Sequence, residues 1–199
     1  NKIFNDAGKN LTTVLESLKN GTTQSFAINQ KIKANYQTKH SDFTTYNVAG
    51  IIEGSDSKLK KEFVVHSAHL DHMGIGRPIE GDSIYNGAHD NASGIASLIQ
   101  ITKIYGELKQ KPKRSILVLA VTAEEMGLLG SGYFAAKPTI PVSQIVANVN
   151  TDMPGIIAPL LSVTALGADH STLINQVNEA TAYFDLSVEP DPEPNENRF

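Results

Sequence analysis

Apolar side chains in the first quarter of the chain follow two different spacings. Between residues 5 and 20 they recur with the period of an amphipathic helix, and Asn20-Gly21 provides a plausible end. This spacing predicts a first helix over residues 5–20. Stretches 25–36 and 43–52 alternate between apolar and polar residues instead, which predicts a pair of strands.

Later apolar runs lack this alternation, which predicts strands that are buried on both faces. They are Phe63–Ala68, Ile116–Thr122 and Ile145–Val149, with a fourth run at Leu160–Leu166. Helical spacing returns in residues 92–108, between the first two runs, and again in residues 171–184. Strands that alternate with helices predict an α/β protein with a layered sheet.

Composition narrows the range of partners and chemistry. The chain has 199 residues, 40% of them hydrophobic and 19% charged, which is enough for one globular domain. A net charge of -4 with scattered lysines gives no basic face, so we expect no nucleic-acid partner. No apolar run is long enough to predict a membrane span. Because the chain contains no cysteine, any metal must be held by His, Asp or Glu side chains.

Histidine and acidic residues follow each of the three buried runs. His69 and Asp71 follow the first run, Glu124 and Glu125 the second, and Asp152 the third. Open α/β sheets place their ligands at the carboxyl ends of their strands, so these side chains are expected to meet at one edge. Together they predict a metal site there.

The chemistry of these residues suggests roles within such a site. The carboxylate of Asp71, two residues beyond His69, could accept the second ring N–H of a metal-bound imidazole. Of two adjacent glutamates, one could bind the metal while its neighbour acts as a general base. Asp90 precedes the predicted helix in a segment of glycine and small residues, which lets the backbone approach a ligand closely.

Each of these residues also has an ordinary structural interpretation. A histidine on an apolar strand is often a core residue, and adjacent glutamates often begin a solvated helix. Asp90 could cap a helix and Asp152 could belong to a turn. The coincidence of four clusters at one sheet edge favours a metal site over these separate explanations. Four further histidines are interpreted as structural or solvent-contacting. His66 faces away from His69 on its strand, and the other three lie in loops or before a helix: His72, His89 and His170.

Four segments, at residues 67–72, 85–94, 123–131 and 150–153, resemble those of one known family of enzymes. This is the di-zinc aminopeptidase family, which includes bacterial leucyl-type and yeast vacuolar aminopeptidases, glutamate carboxypeptidase and glutaminyl cyclase. The resemblance is close over residues 63–155. It implies a three-layer α/β/α fold with a mostly parallel, mixed central sheet, in a single catalytic domain over residues 1–199 that lacks its C-terminal elements.

The resemblance also implies a role for each candidate residue. His69, Asp90 and Asp152 are similar to the ligands of one zinc ion. Asp90 would bridge to a second zinc, which Glu125 also holds, and Glu124 would be the general base. The site as a whole would therefore hold two zinc ions.

Further implications concern the surroundings of these ligands. Asp71 would be the partner of His69, and the peptide bond between Asp90 and Asn91 would be cis. The family has another histidine ligand further downstream, and nothing comparable occurs before Phe199. We therefore expect this chain to be a piece that binds one zinc better than two and has weak activity or none.

The function implied is hydrolysis of the N-terminal peptide bond of peptide substrates by a metallo-aminopeptidase. Three alternatives stay open: a glutaminyl cyclase-like enzyme, a carboxypeptidase and a non-catalytic relative. Arg77 could hold a terminal carboxylate for a carboxypeptidase, but beside Gly76 and Pro78 it is more typical of a solvated loop. The resemblance further implies a periplasmic or extracellular location and a protease-associated domain elsewhere in the parent protein.

Overall fold

The chain divides into two compact units, Asn1–Phe43 and Thr44–Phe199. The computed structural model describes residues 2–22, 25–28, 30, 31, 33–155 and 157–194. The candidate residues of the metal site all lie in the second unit. A single domain over residues 1–199 stays a prediction.

The first unit begins with two helices where the sequence predicts one over residues 5–20. These are α1 (Lys2–Asp6) and α2 (Leu11–Lys19). Gly8 adopts a left-handed conformation, with φ of 67°, and interrupts the helical path. Asn10 then caps α2, because its side-chain oxygen accepts the N–H groups two and three residues later at 2.9 and 3.3 Å. The prediction of one continuous helix is therefore wrong.

The stretch 25–36 forms no strand within its described residues, so that prediction is also wrong. Asn29 and Ile32 lie outside the described residues. Phe26 packs instead against Phe4 of α1, with 6.0 Å between the ring centroids. Apolar alternation predicts a face, but a strand also needs a neighbouring backbone to pair with. Here Phe26 contacts a helix, whereas Tyr36 of the same predicted face is 90% exposed.

Within its described residues, the second unit contains the central sheet and three α-helices. Its strands are β1 (Val48–Ile52), β2 (Phe63–His69), β3 (Gly74–Ile79), β4 (Asp82–Tyr85), β5 (Ser115–Val121), β6 (Ile145–Asn150), β7 (Ser162–Val163) and β8 (Ser187–Val188). Its helices are α3 (Ser93–Glu107), α4 (Leu129–Ala136) and α5 (Leu173–Tyr183). None of the helices within the described residues combines the length and the apolar character needed to cross a bilayer.

The central sheet has the strand order β1-β5-β2-β6. β1 pairs antiparallel with β5, whereas β5, β2 and β6 run parallel. The predicted mixed, mostly parallel sheet is confirmed. β2 and β5 lie inside the sheet, which explains why their apolar runs do not alternate. Of the predicted strand 43–52 only β1 forms, and the run Leu160–Leu166 contributes only β7, which pairs with β8 outside this sheet.

Helices cover the two faces of the central sheet, so the predicted three-layer arrangement is confirmed. α3 packs on β2 and β5 from one side, where the ring of Tyr105 lies 5.7 Å from that of His66. On the other side, Phe134 of α4 packs against the main apolar cluster, which consists of Phe63, Val65, Leu117, Leu119, Val121 and Ile140. Successive side chains of β2 and β5 therefore point to opposite faces of the sheet, one covered by α3 and the other by α4.

We expect Leu117→Ala to destabilise the second unit strongly. Leu117 is 0% exposed in β5, and removing a buried leucine side chain leaves a cavity that costs about 2–5 kcal/mol. Ile51 provides a matched control, because it pairs with Leu117 across the sheet but is 56% exposed. Ile51→Ala should lower the free energy of unfolding by no more than about 1 kcal/mol. Urea denaturation measures both changes, and equal losses would contradict this assignment of the core.

Candidate metal centre

Backbone hydrogen bonds hold the ends of the three parallel strands level with one another. The N–H of Leu70 donates to the carbonyl of Val121 at 2.8 Å, just beyond the end of β2. The N–H of Thr151 donates to the carbonyl of Ser67 at 2.9 Å, just beyond the end of β6. His69 and the segments that follow β5 and β6 are thereby brought to the same edge, as the sequence predicts.

Asp90 lies in an irregular turn immediately before α3. Its peptide bond to Asn91 is cis, as the resemblance implies. The buried side chain of Asn91 fixes this turn: its oxygen accepts the N–H groups of Gly94 at 2.9 Å and Met153 at 3.3 Å, and its amide donates to the carbonyl of Thr151 at 3.1 Å. A Cβ at Gly94 would lie 2.2 Å from the Asn91 oxygen, so only glycine fits. The turn is thus fastened to the segment that carries the last candidate ligand.

The two glutamates lie in a turn that begins directly after β5. Ala123 adopts a positive φ of 53°, which turns the chain at this point. The carboxylate of Asp71 then accepts the N–H of Glu124 at 3.1 Å and that of Glu125 at 3.3 Å. Asp71 therefore anchors the backbone of both glutamates.

The sequence predicts a different task for the Asp71 side chain. Its carboxylate was expected to accept the second ring N–H of His69, but it lies 3.8 Å from Nδ1. The backbone carbonyl of Asp71 is closer, at 3.0 Å from the same nitrogen. Because a carbonyl can only accept, Nδ1 carries the proton and the lone pair of Nε2 faces the site. The predicted fixing of the tautomer is reached through the backbone of Asp71.

His69 forms the centre of a first group of possible metal ligands. Its Nε2 lies 3.0 Å from Oδ1 of Asp90 and 3.5 Å from Oδ1 of Asp152, and the side chain is only 3% exposed. One atom from each of these three residues lies within 4.8 Å of the others. The carboxylate of Glu124 approaches the same nitrogen to 4.0 Å and belongs to neither of the groups found in the described residues.

His72 forms the centre of a second group. Its Nδ1 lies 2.6 Å from Oε1 of Glu125 and 3.8 Å from Oδ2 of Asp90. From the sequence, His72 is assigned to a loop and is not predicted to lie beside Glu125 and Asp90. Its position three residues after His69 was the one available signal, but periodicity does not predict where a side chain points once the strand has ended.

Negative charge dominates the electrostatics of this edge. Burial alone would lower the pKa of His69, but the carboxylates of Asp152, Glu124 and Asp90 and the hydrogen bond to the Asp71 carbonyl together outweigh it and raise that pKa. Burial also raises the pKa of Glu124; His69 opposes this shift, and the carboxylates of Asp152 and Glu125 reinforce it. A field that favours protonation of a histidine also attracts a metal cation.

The donor atoms themselves fit a metal such as zinc. Three buried atoms at this edge have no hydrogen-bond partner among the residues that the structure describes: His69 Nε2, His72 Nδ1 and Glu125 Oε1. Unsatisfied buried polar atoms are rare in folded proteins and call for an explanation such as a bound ion. Imidazole nitrogen and carboxylate oxygen are common zinc ligands.

The other histidines lie outside both groups. Nε2 of His89 lies 3.1 Å from the carbonyl of Met153 and 3.2 Å from that of Pro154, so this ring contacts backbone. His66 points to the opposite face of the sheet, as predicted, and burial lowers its pKa. His170 is exposed, with 82% of its side chain accessible.

Two curated proteins illustrate what the chain is similar to. It is 31% identical to aminopeptidase NAALADL1 from Mus musculus over 134 residues, which are 65% of this chain and 16% of that protein. It is 29% identical to a probable zinc metalloprotease from Leptosphaeria maculans over 109 residues, which are 55% of this chain and 24% of that protein. The chain thus spans no more than about a quarter of either relative.

A solved structure shares the fold. The peptidase M28 precursor from Shewanella amazonensis is 28% identical and superposes with a TM-score of 0.56, over 73% of this chain and 30% of that chain. The profile of peptidase family M28 matches residues 47–199, a range that contains the central sheet and both groups of possible ligands. The family names and the donor atoms both support zinc as the metal. The expected membership is confirmed: the chain belongs to peptidase family M28.

Proposed function

We propose that this chain forms the core of a two-zinc exopeptidase that hydrolyses the N-terminal peptide bond of peptides. The observation that carries the proposal is the position of Asp90 between the two histidine groups. Its Oδ1 lies 3.0 Å from a nitrogen of His69, and its Oδ2 lies 3.8 Å from a nitrogen of His72. A carboxylate that offers one oxygen to each group is suited to bridge two metal ions.

The residues divide into those that would hold zinc and those that would act on the substrate. His69, Asp90 and Asp152 would hold one ion, and Asp90 and Glu125 would contribute to the other. Bound zinc supplies Lewis acidity, which activates a water molecule and polarises the carbonyl of the peptide bond. This donor arrangement supports the two-zinc site that the resemblance implies.

Glu124 is suited to be the general base. Its carboxylate lies beside the ligands without belonging to either group, so it is free to exchange a proton. Its pKa is raised, chiefly by burial, toward the range in which a carboxylate accepts and releases protons efficiently near neutral pH. Glu124 would take the proton of the attacking water and return it to the leaving amine. Hydrogen bonds from the backbone N–H groups of Glu124 and Glu125 to Asp71 keep both carboxylates in place.

Charge at the site favours the amino end of a peptide over its carboxyl end. Five carboxylates gather here, namely Asp71, Asp90, Glu124, Glu125 and Asp152. Within the described residues, every ion pair of these carboxylates is with a histidine. A terminal carboxylate would need an arginine or lysine partner. Arg77 lies in the exposed strand β3 and forms no ion pair among the described residues. This supports an aminopeptidase rather than a carboxypeptidase.

We expect Glu124→Gln in the complete gene product to lower kcat by about 100- to 10,000-fold, the range for loss of a general base. Bound zinc should stay unchanged, because Glu124 belongs to neither ligand group. Steady-state hydrolysis of aminoacyl-4-nitroanilides and elemental analysis measure the two quantities. Glu53→Gln is the matched control, since Glu53 pairs with Lys60 on the surface. A variant with kcat within tenfold of wild type, or one that loses zinc, would contradict this role.

The same preparation tests the type of reaction. An aminopeptidase requires a free α-amine, so N-acetylation of a test peptide should abolish cleavage, whereas amidation of its carboxyl end should not. Conversion of N-terminal glutaminyl peptides to a cyclic product would favour the glutaminyl cyclase alternative. Cleavage that depends on a free carboxyl end would favour the carboxypeptidase.

Asp71→Asn is expected to lower kcat by about 10- to 100-fold, as is typical for groups that orient metal ligands and bases. The amide keeps one oxygen, but its NH2 cannot accept the second backbone N–H, so one of the two bonds is lost. KM should change little, because Asp71 supports the glutamates rather than the substrate. A variant that keeps wild-type kcat at unchanged stability would show that this anchor is dispensable.

A further inference from the structure

The contact between His72 and Glu125 lacks the features of a hydrogen bond. Nδ1 of His72 and Oε1 of Glu125 are 2.6 Å apart, yet both are buried and neither has a hydrogen-bond partner in the described part of the chain. An N–H directed at the oxygen would have satisfied both atoms. Two possible electron-pair donors therefore lie side by side without a hydrogen bond between them, as the ligands of a single cation do.

Asp90 adds a third donor to this pair. Its Oδ2 lies 3.8 Å from Nδ1 of His72, and one atom each from His72, Asp90 and Glu125 lies within 4.8 Å of the other two. One imidazole nitrogen and two carboxylate oxygens form a set that zinc accepts. The group is distinct from that of His69, whose own unpartnered nitrogen faces the other oxygen of Asp90.

Contacts on several sides hold the His72 ring in this position. A Cβ at Gly87 would lie 2.8 Å from Cβ and 2.9 Å from Cγ of His72, so the backbone of the Asp90 turn packs directly against the base of the ring. The ring of Tyr85 lies 6.5 Å away, and only 22% of the His72 side chain is exposed. His72 is therefore packed against the turn that also carries Asp90.

We propose that His72, through Nδ1, is a protein ligand of the second zinc ion, beside Asp90 and Glu125. This rests on the proposed two-zinc function and extends it. His72 would supply a nitrogen ligand for this ion from the loop that follows β2. The alternative is that His72 only orients Glu125 without touching the metal.

A new absorption band can distinguish a His72 that binds the metal from one that only orients Glu125. In the cobalt-substituted complete gene product, His72→Cys should produce a new near-ultraviolet charge-transfer band from thiolate to cobalt, because a cysteine at a ligand position binds the metal. The 199 residues contain no cysteine, so within them the band can arise only from the introduced thiol. His170→Cys is the matched control, since this exposed histidine lies outside both groups, and it should produce no band beyond that of wild type.

A loss of binding provides the second measurement. His72→Phe keeps a ring but removes the nitrogen, and it should weaken one of two zinc-binding constants by more than about a hundredfold, since even indirect partners cost about 10- to 100-fold. His69→Phe should weaken the other constant instead. If the cysteine variant gives no band and His72→Phe keeps both constants within tenfold of wild type, the inference is overturned while the two-zinc function stands. If the wild-type protein and the His170 control bind no zinc, both proposals fall together.

Discussion

The carboxylate of Asp90 faces a histidine nitrogen with each of its oxygens, and the candidate site is organised around this arrangement. Carboxylates that meet at a partly buried edge repel one another unless a cation or a proton lies among them. Burial lowers the pKa of His69, but the nearby carboxylates help to raise it; burial is the chief cause of the raised pKa of Glu124, which Asp152 and Glu125 reinforce. A pair of metal ions would relieve the repulsion between the carboxylates and would satisfy the three buried atoms at this edge that lack a hydrogen-bond partner within the described residues.

The surrounding chain keeps these charges together by anchoring the backbone rather than the ligands. Asn91 fastens the turn of Asp90 to the segment after β6, and Asp71 fastens the turn of the two glutamates to the end of β2. The parallel strands hold both segments level with His69. The side chains proposed as ligands are thus positioned by an anchored backbone.

Much of this arrangement could be predicted because strand ends and polar residues are local features of the sequence. Unbroken apolar runs identified β2, β5 and β6, and the residues after them identified the edge at which His69, Glu125 and Asp152 lie. The place of Asp90 at this edge came from the family resemblance. Features that depend on a partner elsewhere in the chain were missed. Examples are the position of the His72 ring against Gly87, the choice of the carbonyl of Asp71 over its carboxylate, and the absence of strand structure in the described part of 25–36.

Crystals of the zinc-loaded protein, with diffraction measured above and below the zinc absorption edge, test the central claim most directly. Two anomalous peaks should lie on opposite sides of the Asp90 carboxylate, about 3.5–4 Å apart, one beside His69 and the other beside His72. A single peak, or two peaks that both avoid Asp90, would contradict the account.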